Sequence, residues 1–234
     1  MRTNFLLLTS CCAFVFAACG PAGPAPEAAD PALTPPETTT EVMSTTTQTP
    51  TPAPVADDLN GDGRPDYLEV ITTNEDADGL GLKRQLIVYS GDDEDRTVWY
   101  TADNAILPTE AGGMMGNPLE SARVRNGTIV VRHFGGSSEK WHYVHRYRWQ
   151  NDDFELIGAT IEYGRPCGEM QSLDYNLSTG GADHKRTRTD CETNVLTILA
   201  EESFTARRDL PSLKDFTPGE TEIAIGETGQ TMYY

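Results

Sequence analysis

Downstream of Asp57, apolar residues fall mostly at alternate positions, in short runs broken by Gly, Asn and Asp. A period of two is what a chain needs to bury one face of a strand, and a 3.6-residue helical period is absent over any long stretch. The runs predict strands over 66–73, 84–90, 96–101, 120–125, 128–134, 141–149, 154–162, 184–190 and 195–200. The stretch 194–204 reads equally as strand or short helix, because apolar residues occupy both alternating faces. The sharpest local signal is Asn126-Gly127, the dipeptide favoured in two-residue hairpin turns because both positions need positive φ. That turn sets Val124 against Ile129 and Ala122 against Val131 on an apolar face. It leaves Ser121, Arg123, Arg125, Thr128, Val130 and Arg132 on the other, which is mostly cationic.

A second hairpin follows the same logic. Trp141, Tyr143, His145, Tyr147 and Trp149 alternate with His142, Val144, Arg146 and Arg148. The polar turn Gln150-Asn151-Asp152-Asp153 then leads into the next strand. Consecutive hairpins of this kind predict a mainly β, antiparallel meander, folded into a sandwich or half-barrel.

The N-terminal quarter has a different texture. Arg2 precedes a short apolar run, Phe5 to Ala18, which reads as a secretory signal peptide over 1–18. Its end, Phe16-Ala17-Ala18-Cys19, resembles the bacterial lipobox, and the resemblance implies that Cys19 carries lipid and becomes the mature N-terminus. Gly20 after it, in place of Asp, implies sorting to the outer membrane. Residues 19–56 then form a Pro/Thr/Ala-rich tether, with nine of the fifteen prolines between 20 and 56. Such a composition cannot bury enough surface to offset its ordering entropy. The β-rich domain occupies 57–234.

Charge narrows the partners. The chain has 36 acidic and 18 basic side chains, a net of −18. Removing 1–18 takes Arg2 and no acid, so 17 − 36 leaves −19. A nucleic-acid surface needs clustered cations against dense phosphate and is not expected on such a chain. Of five cysteines, Cys11 and Cys12 leave with the signal peptide and Cys19 is the anchor. Cys167 and Cys191 remain, and two thiols in an oxidising compartment pair as a disulfide.

One motif carries definite chemistry. Asp58, Asn60, Asp62, Gly63, Arg64, Asp66 and Glu69 fit D-x-[DN]-x-[DN]-G-x5-E. Oxygens at positions 1, 3 and 5 converge on a hard cation, Gly63 permits the reversal, Arg64 offers its carbonyl, and Asp66 binds directly or through water. An all-oxygen set selects Ca²⁺ over transition metals. Helices do not flank the loop, and Pro65 lacks the N–H that a paired EF-hand loop donates at its eighth position. The loop instead resembles FG-GAP/VCBS-type calcium loops, in which DxNGDGxxD runs into a strand. In those the twelfth residue, here Glu69, usually does not ligate. One copy without a self-repeat does not make a propeller.

Together with that loop, the segments 104–138 (NAILPTEAGGMMGNPLESARVRNGTIVVRHFGGSS), 147–164 (YRWQNDDFELIGATIEYG) and 174–180 (DYNLSTG) resemble a family of short bacterial secreted proteins and lipoproteins with a single such loop. The resemblance supports a calcium-loop β domain and implies no catalytic residues.

The remaining constellations are weak. His142 and His145 differ by three and fall on opposite strand faces, so they do not share a metal. His133 lies on the apolar face and reads as structural, and His184, in a charged stretch, reads as solvated surface. The segment Ala111–Pro118 is Gly-rich but lacks the Lys-Ser/Thr of a phosphate loop, so it reads as a compact structural loop. The aromatic row of the second hairpin reads as core, with sugar or peptide stacking as the alternative. The sequence therefore points to a lipid-anchored envelope protein, held to the membrane through Cys19, with a calcium-stabilised β domain in a structural or adhesive role, binding an envelope protein or glycan. The alternative is an envelope hydrolase using the Gly-rich loops and His133. An inhibitor or chaperone-like lipoprotein is a third class, which the residues do not separate from adhesion.

Overall fold

The computed structural model describes residues 57–91, 96–226 and 229–234. The signal-peptide, Cys19 and tether assignments lie outside the described residues. The domain is mainly β, with antiparallel sheets that do not close into a barrel. β1 (Asp66–Asp76), β2 (Leu82–Ser90) and β3 (Thr97–Ala102) form a three-stranded meander. A seven-stranded sheet follows: β4 (Leu119–Arg125), β5 (Thr128–Gly136), β6 (Lys140–Gln150), β7 (Asp153–Gly164), β8 (Glu169–Asn176), β9 (Gly181–Asp190) and β10 (Val195–Thr205). Each strand pairs with its sequence neighbour, so β4 and β10 are the edges. β11 (Glu222–Ile225) and β12 (Gln230–Tyr233) make a separate hairpin. The only helical element among the described residues is a single 3₁₀ turn at Gly113–Met115.

The Asn126-Gly127 turn forms as its dipeptide dictates, with φ of 51° and 67°, and it sets Val124 opposite Ile129 and Ala122 opposite Val131. Segment 195–205 is strand, which resolves the ambiguity in its pattern. Ile198 pairs with Thr187 and Ala200 with Arg186, and the bulge between them explains why apolar residues reached both faces. Three strands have no counterpart in the predicted set. β8 turns Leu173 and Tyr175 inward but dilutes the alternation with Gln171. β11 and β12 have only four residues each, too few to show a period.

One core cluster draws on all three sheets. Ile129, Tyr147, Leu156, Ile161, Leu173 and Tyr175 line the inner face of the seven-stranded sheet. Leu86, Val88 and Tyr100 cover it from one meander, and Ile223, Ile225 and Tyr234 from the C-terminal hairpin. Aromatic contacts tie these pieces together: Trp99 lies 4.6 Å from Trp149 and 5.2 Å from Phe154, and Tyr175 lies 5.6 Å from Tyr234. The aromatic row of β6 is thus largely core. Trp141 stacks on Tyr143, which lines a cleft of about 370 Å³ together with Tyr163 and Tyr233.

Candidate functional site

The Asp58–Asp66 loop is pinned at both ends before any ion is considered. Asp57 and Asp66 bridge through their backbones, Asp66 N–H donating to the Asp57 carbonyl at 2.8 Å. Leu59 is buried in the core, and the Gly127 N–H donates to the Asp57 carboxylate at 2.9 Å, so the loop leans on the β4–β5 turn. Gly61 and Gly63 adopt φ of 79° and 82°, the left-handed region that only glycine enters cheaply.

Within this frame the oxygens turn inward. The Asp58 carboxylate accepts N–H bonds from Gly61, Asp62 and Gly63 at 2.6, 3.1 and 2.9 Å. Asn60 Oδ1 accepts from the Asp62 N–H at 2.9 Å, and Asp62 Oδ1 from the Arg64 N–H at 2.8 Å. Among the described residues, no group of three or more His, Cys, Asp or Glu side chains is drawn together to hold a metal. The side-chain oxygens instead cap backbone donors: Asp58 Oδ1 accepts two of them, whereas Asp58 Oδ2, Asn60 Oδ1 and Asp62 Oδ1 accept one each and keep a second lone pair.

Asp66 is different. It is fully buried, with Oδ2 accepting from the Leu59 N–H at 2.8 Å. Its Oδ1 is buried without a hydrogen-bond partner. Burial pushes its pKa up, and the charges of Asp62 and Asp58 push the same way. The Leu59 N–H and the nearby Ser90 hydroxyl oppose them, although Ser90 completes no hydrogen bond to Oδ1. Glu69 is three residues further along β1 and so projects from the opposite face. Its carboxylate accepts from the Tyr89 hydroxyl at 2.9 Å. The structure therefore gathers Asp58, Asn60, Asp62 and Arg64 in one turn, with Asp66 beneath it and Glu69 apart. Asp57, the second anchor of the loop, carried no sequence signal of its own.

Cys167 and Cys191 are joined by a disulfide, with Cα atoms 5.3 Å apart. His184, which the sequence placed on the surface, is buried on the inner face of β9. The bracketing charges mislead because alternation sends Asp183 and Lys185 to the opposite face. His184 instead meets Glu202 at 3.4 Å and Gln171 at 3.3 Å. His142 faces outward between Glu120 and Glu162, at 3.1 and 3.7 Å, while His145 is buried.

His133 is also fully buried, and its Nε2 accepts the Leu107 N–H at 3.2 Å. That bond occupies the lone pair a general base would use and places the ring proton on Nδ1. The two Gly-Gly segments near it serve packing. The Gly136 N–H donates to the Gly112 carbonyl at 2.9 Å, and Gly135 lies flat against the Trp141 ring. A Cβ at Gly135 would collide with that ring and come within 2.9 Å of the Gly112 Cα. Gly135→Ala should therefore lower stability by about 2 kcal/mol, measured by denaturant unfolding, whereas a solvent-facing loop would tolerate the methyl.

No family model, no curated protein and no solved structure matches the chain.

Proposed function

We propose that this is a lipid-anchored envelope protein, attached through Cys19, whose β domain is stabilised by Ca²⁺ at the Asp58–Asp66 loop and serves a binding or adhesive role. The observation that carries the calcium reading is Asp66: a carboxylate fully buried, with one oxygen unpartnered, and close enough to Asp62 and Asp58 for their charges to act on it. A buried, unsatisfied charge is costly by itself, and a divalent cation would satisfy it. Asp58, Asn60, Asp62 and the Arg64 carbonyl would supply the remaining oxygens, at the spacing that hard cations take. Neutralising these mutually repelling carboxylates would order the entrance to β1, and through Asp57 the β4–β5 turn beside it. The tether would hold the domain clear of the membrane.

The test is thermal and chemical unfolding of the protein with and without calcium. With affinity in the roughly 10⁻⁴–10⁻³ M range of extracellular modules, about 10 mM Ca²⁺ should add about 1.4–2.7 kcal/mol. Asp62→Ala should abolish the gain. A wild-type unfolding curve that ignores calcium would remove the metal from this reading.

A further inference from the structure

The face of the seven-stranded sheet turned away from the core carries a trough with arginine walls. Arg125 stands opposite Thr128, which stands opposite Arg148, and in the next row Arg123, Val130 and Arg146 align the same way. Each pair of walls is thus two strand spacings apart, roughly 9.6 Å, and the rows repeat every roughly 6.8 Å along the strand. Arg132, the next outward residue of β5, closes one end. A depression of about 360 Å³ is lined by Arg123, Arg125, Arg132 and Arg146, with Arg148 outside the lining in the row of Arg125 and Thr128.

These charges make no direct ion pair, although Glu155 stands opposite Arg148 on β7 and Arg146 shares a second depression with Asp174 and Asp183. Arg146 donates to the Thr160 hydroxyl at 3.0 Å and Arg148 to the Gln150 side chain at 2.7 Å. Among the described residues, none of the five arginines has a carboxylate at ion-pair distance. Neighbouring guanidiniums at this spacing repel by about 0.5 kcal/mol per pair even in bulk water. In a chain with 36 acids to 18 bases, five arginines without an ion-pair contact on one face are suited to an external anion.

The lining identifies the kind of anion. All five positions are Arg, whose planar fork grips carboxylate and sulfate bidentately. The floor is Thr128 and Val130, with Ser121 and Asn126 at the rim, so hydroxyls and an amide stand between the charges. No aromatic ring lines the trough to stack on a nucleobase. We propose that the β4–β6 face binds an acidic polysaccharide, its carboxylate or sulfate groups held between Arg123 and Arg125 on one side and Arg146 and Arg148 on the other. The assignment rests on the adhesive reading for its setting but uses no residue of the calcium loop.

The experiment titrates the full chain against polygalacturonate and dextran sulfate, with neutral dextran as the control, by calorimetry and sedimentation. Binding to at least one acidic polymer and none to neutral dextran is expected. Affinity should fall about tenfold or more between about 50 and about 200 mM salt, as screening shortens the reach of the arginines. Arg123→Gln with Arg146→Gln should weaken it about tenfold or more at an unchanged melting midpoint. Arg125→Gln with Arg148→Gln, the more exposed pair, should do the same and stands in if the first pair unfolds. Four results would overturn the assignment: no retention of either acidic polymer, equal affinity in both double variants, tighter binding to single-stranded DNA, or an arginine-dependent dimer without polymer. Polymer binding that fails while calcium still stabilises the protein removes this assignment alone, and the converse removes only the metal.

Discussion

Acidification from pH 7 to pH 5 should cost the domain about 4 kcal/mol of folding stability, read as a shift of the denaturant midpoint at constant slope. The origin is a pair of imidazoles on the inner face of the large sheet. His133 on β5 pairs with Tyr143 and His145 on β6 with Val131, so the two rings are diagonal neighbours, both fully buried. Burial holds each well below the ordinary histidine value, at about 3. The Arg84 charge adds to this at His133, and His133 and Arg146 add to it at His145. His133 accepts the Leu107 N–H, a bond that its Nε2 makes only when unprotonated, and neither ring nitrogen of His145 has a partner. In the unfolded chain both titrate near 6.5. Above that pH neither state binds these protons and stability is flat. Below it the unfolded chain takes up protons that the fold refuses, so stability falls until the folded values are reached. At pH 5, about 1.5 units below the free value, the loss is about 2 kcal/mol for each ring.

Asp66 acts in the opposite sense. Its carboxyl is raised in the fold, so the stability tied to its protonated form is complete at acid pH and is lost as the pH rises through that raised value. His145→Phe isolates the imidazole contribution. Phe216 already meets that ring edge-on at 4.9 Å, so an aromatic hydrocarbon suits the site, and the variant should lose about half as much stability over the same pH interval. His145→Leu serves the same purpose if the larger ring does not fit. Equal midpoints at pH 7 and pH 5 for the wild type would show that the histidines find protonated partners in the fold.

What the sequence revealed, and what it hid, follows from the range of the interactions. The hairpin at Asn126-Gly127 was legible to the residue because turn chemistry and two-residue alternation are local and agree with each other. The cationic outer face of that hairpin was legible for the same reason. The third strand that completes the trough was not. Arg146 and Arg148 face the gap beside Thr128 and Val130 only once β5 and β6 are in register, a matter of long-range pairing. The Asp58–Asp66 loop divides in the same way. Its oxygens could be read from spacing, but the burial of Asp66 depends on Leu59 entering the core and on Asp57 bridging back. His184 misled because its neighbours were read as a composition, whereas a strand sorts alternate residues to opposite sides. The C-terminal hairpin left no pattern because its two short strands are fixed by what Ile223, Ile225 and Tyr234 pack against.

Opening the Cys167–Cys191 bridge, by reduction or by Cys167→Ala with Cys191→Ala, should lower stability by about 3–4 kcal/mol. The cysteines are 24 residues apart, and releasing a loop of that length restores about 3.5 kcal/mol of chain entropy to the unfolded state. Its position makes the loss uneven. The bridge joins the turn after β7 to the turn after β9, across the open end of the β8–β9 hairpin, where Glu169 pairs with Arg188. The ion pairs there, Glu169 with Arg186 and Arg188, are exposed and contribute little. Beyond them β10 is an edge strand whose Val195, Leu196 and Ile198 are more than half exposed, so little buried surface holds that end. Hydrogen exchange in the opened protein should therefore rise first in residues 187–198, while β5 and β6, flanked by strands on both sides, follow only global unfolding. Uniform acceleration across the sheet would mean that the bridge constrains only the unfolded chain. An unchanged denaturant midpoint would mean that hairpin pairing alone already fixes that end of the sheet.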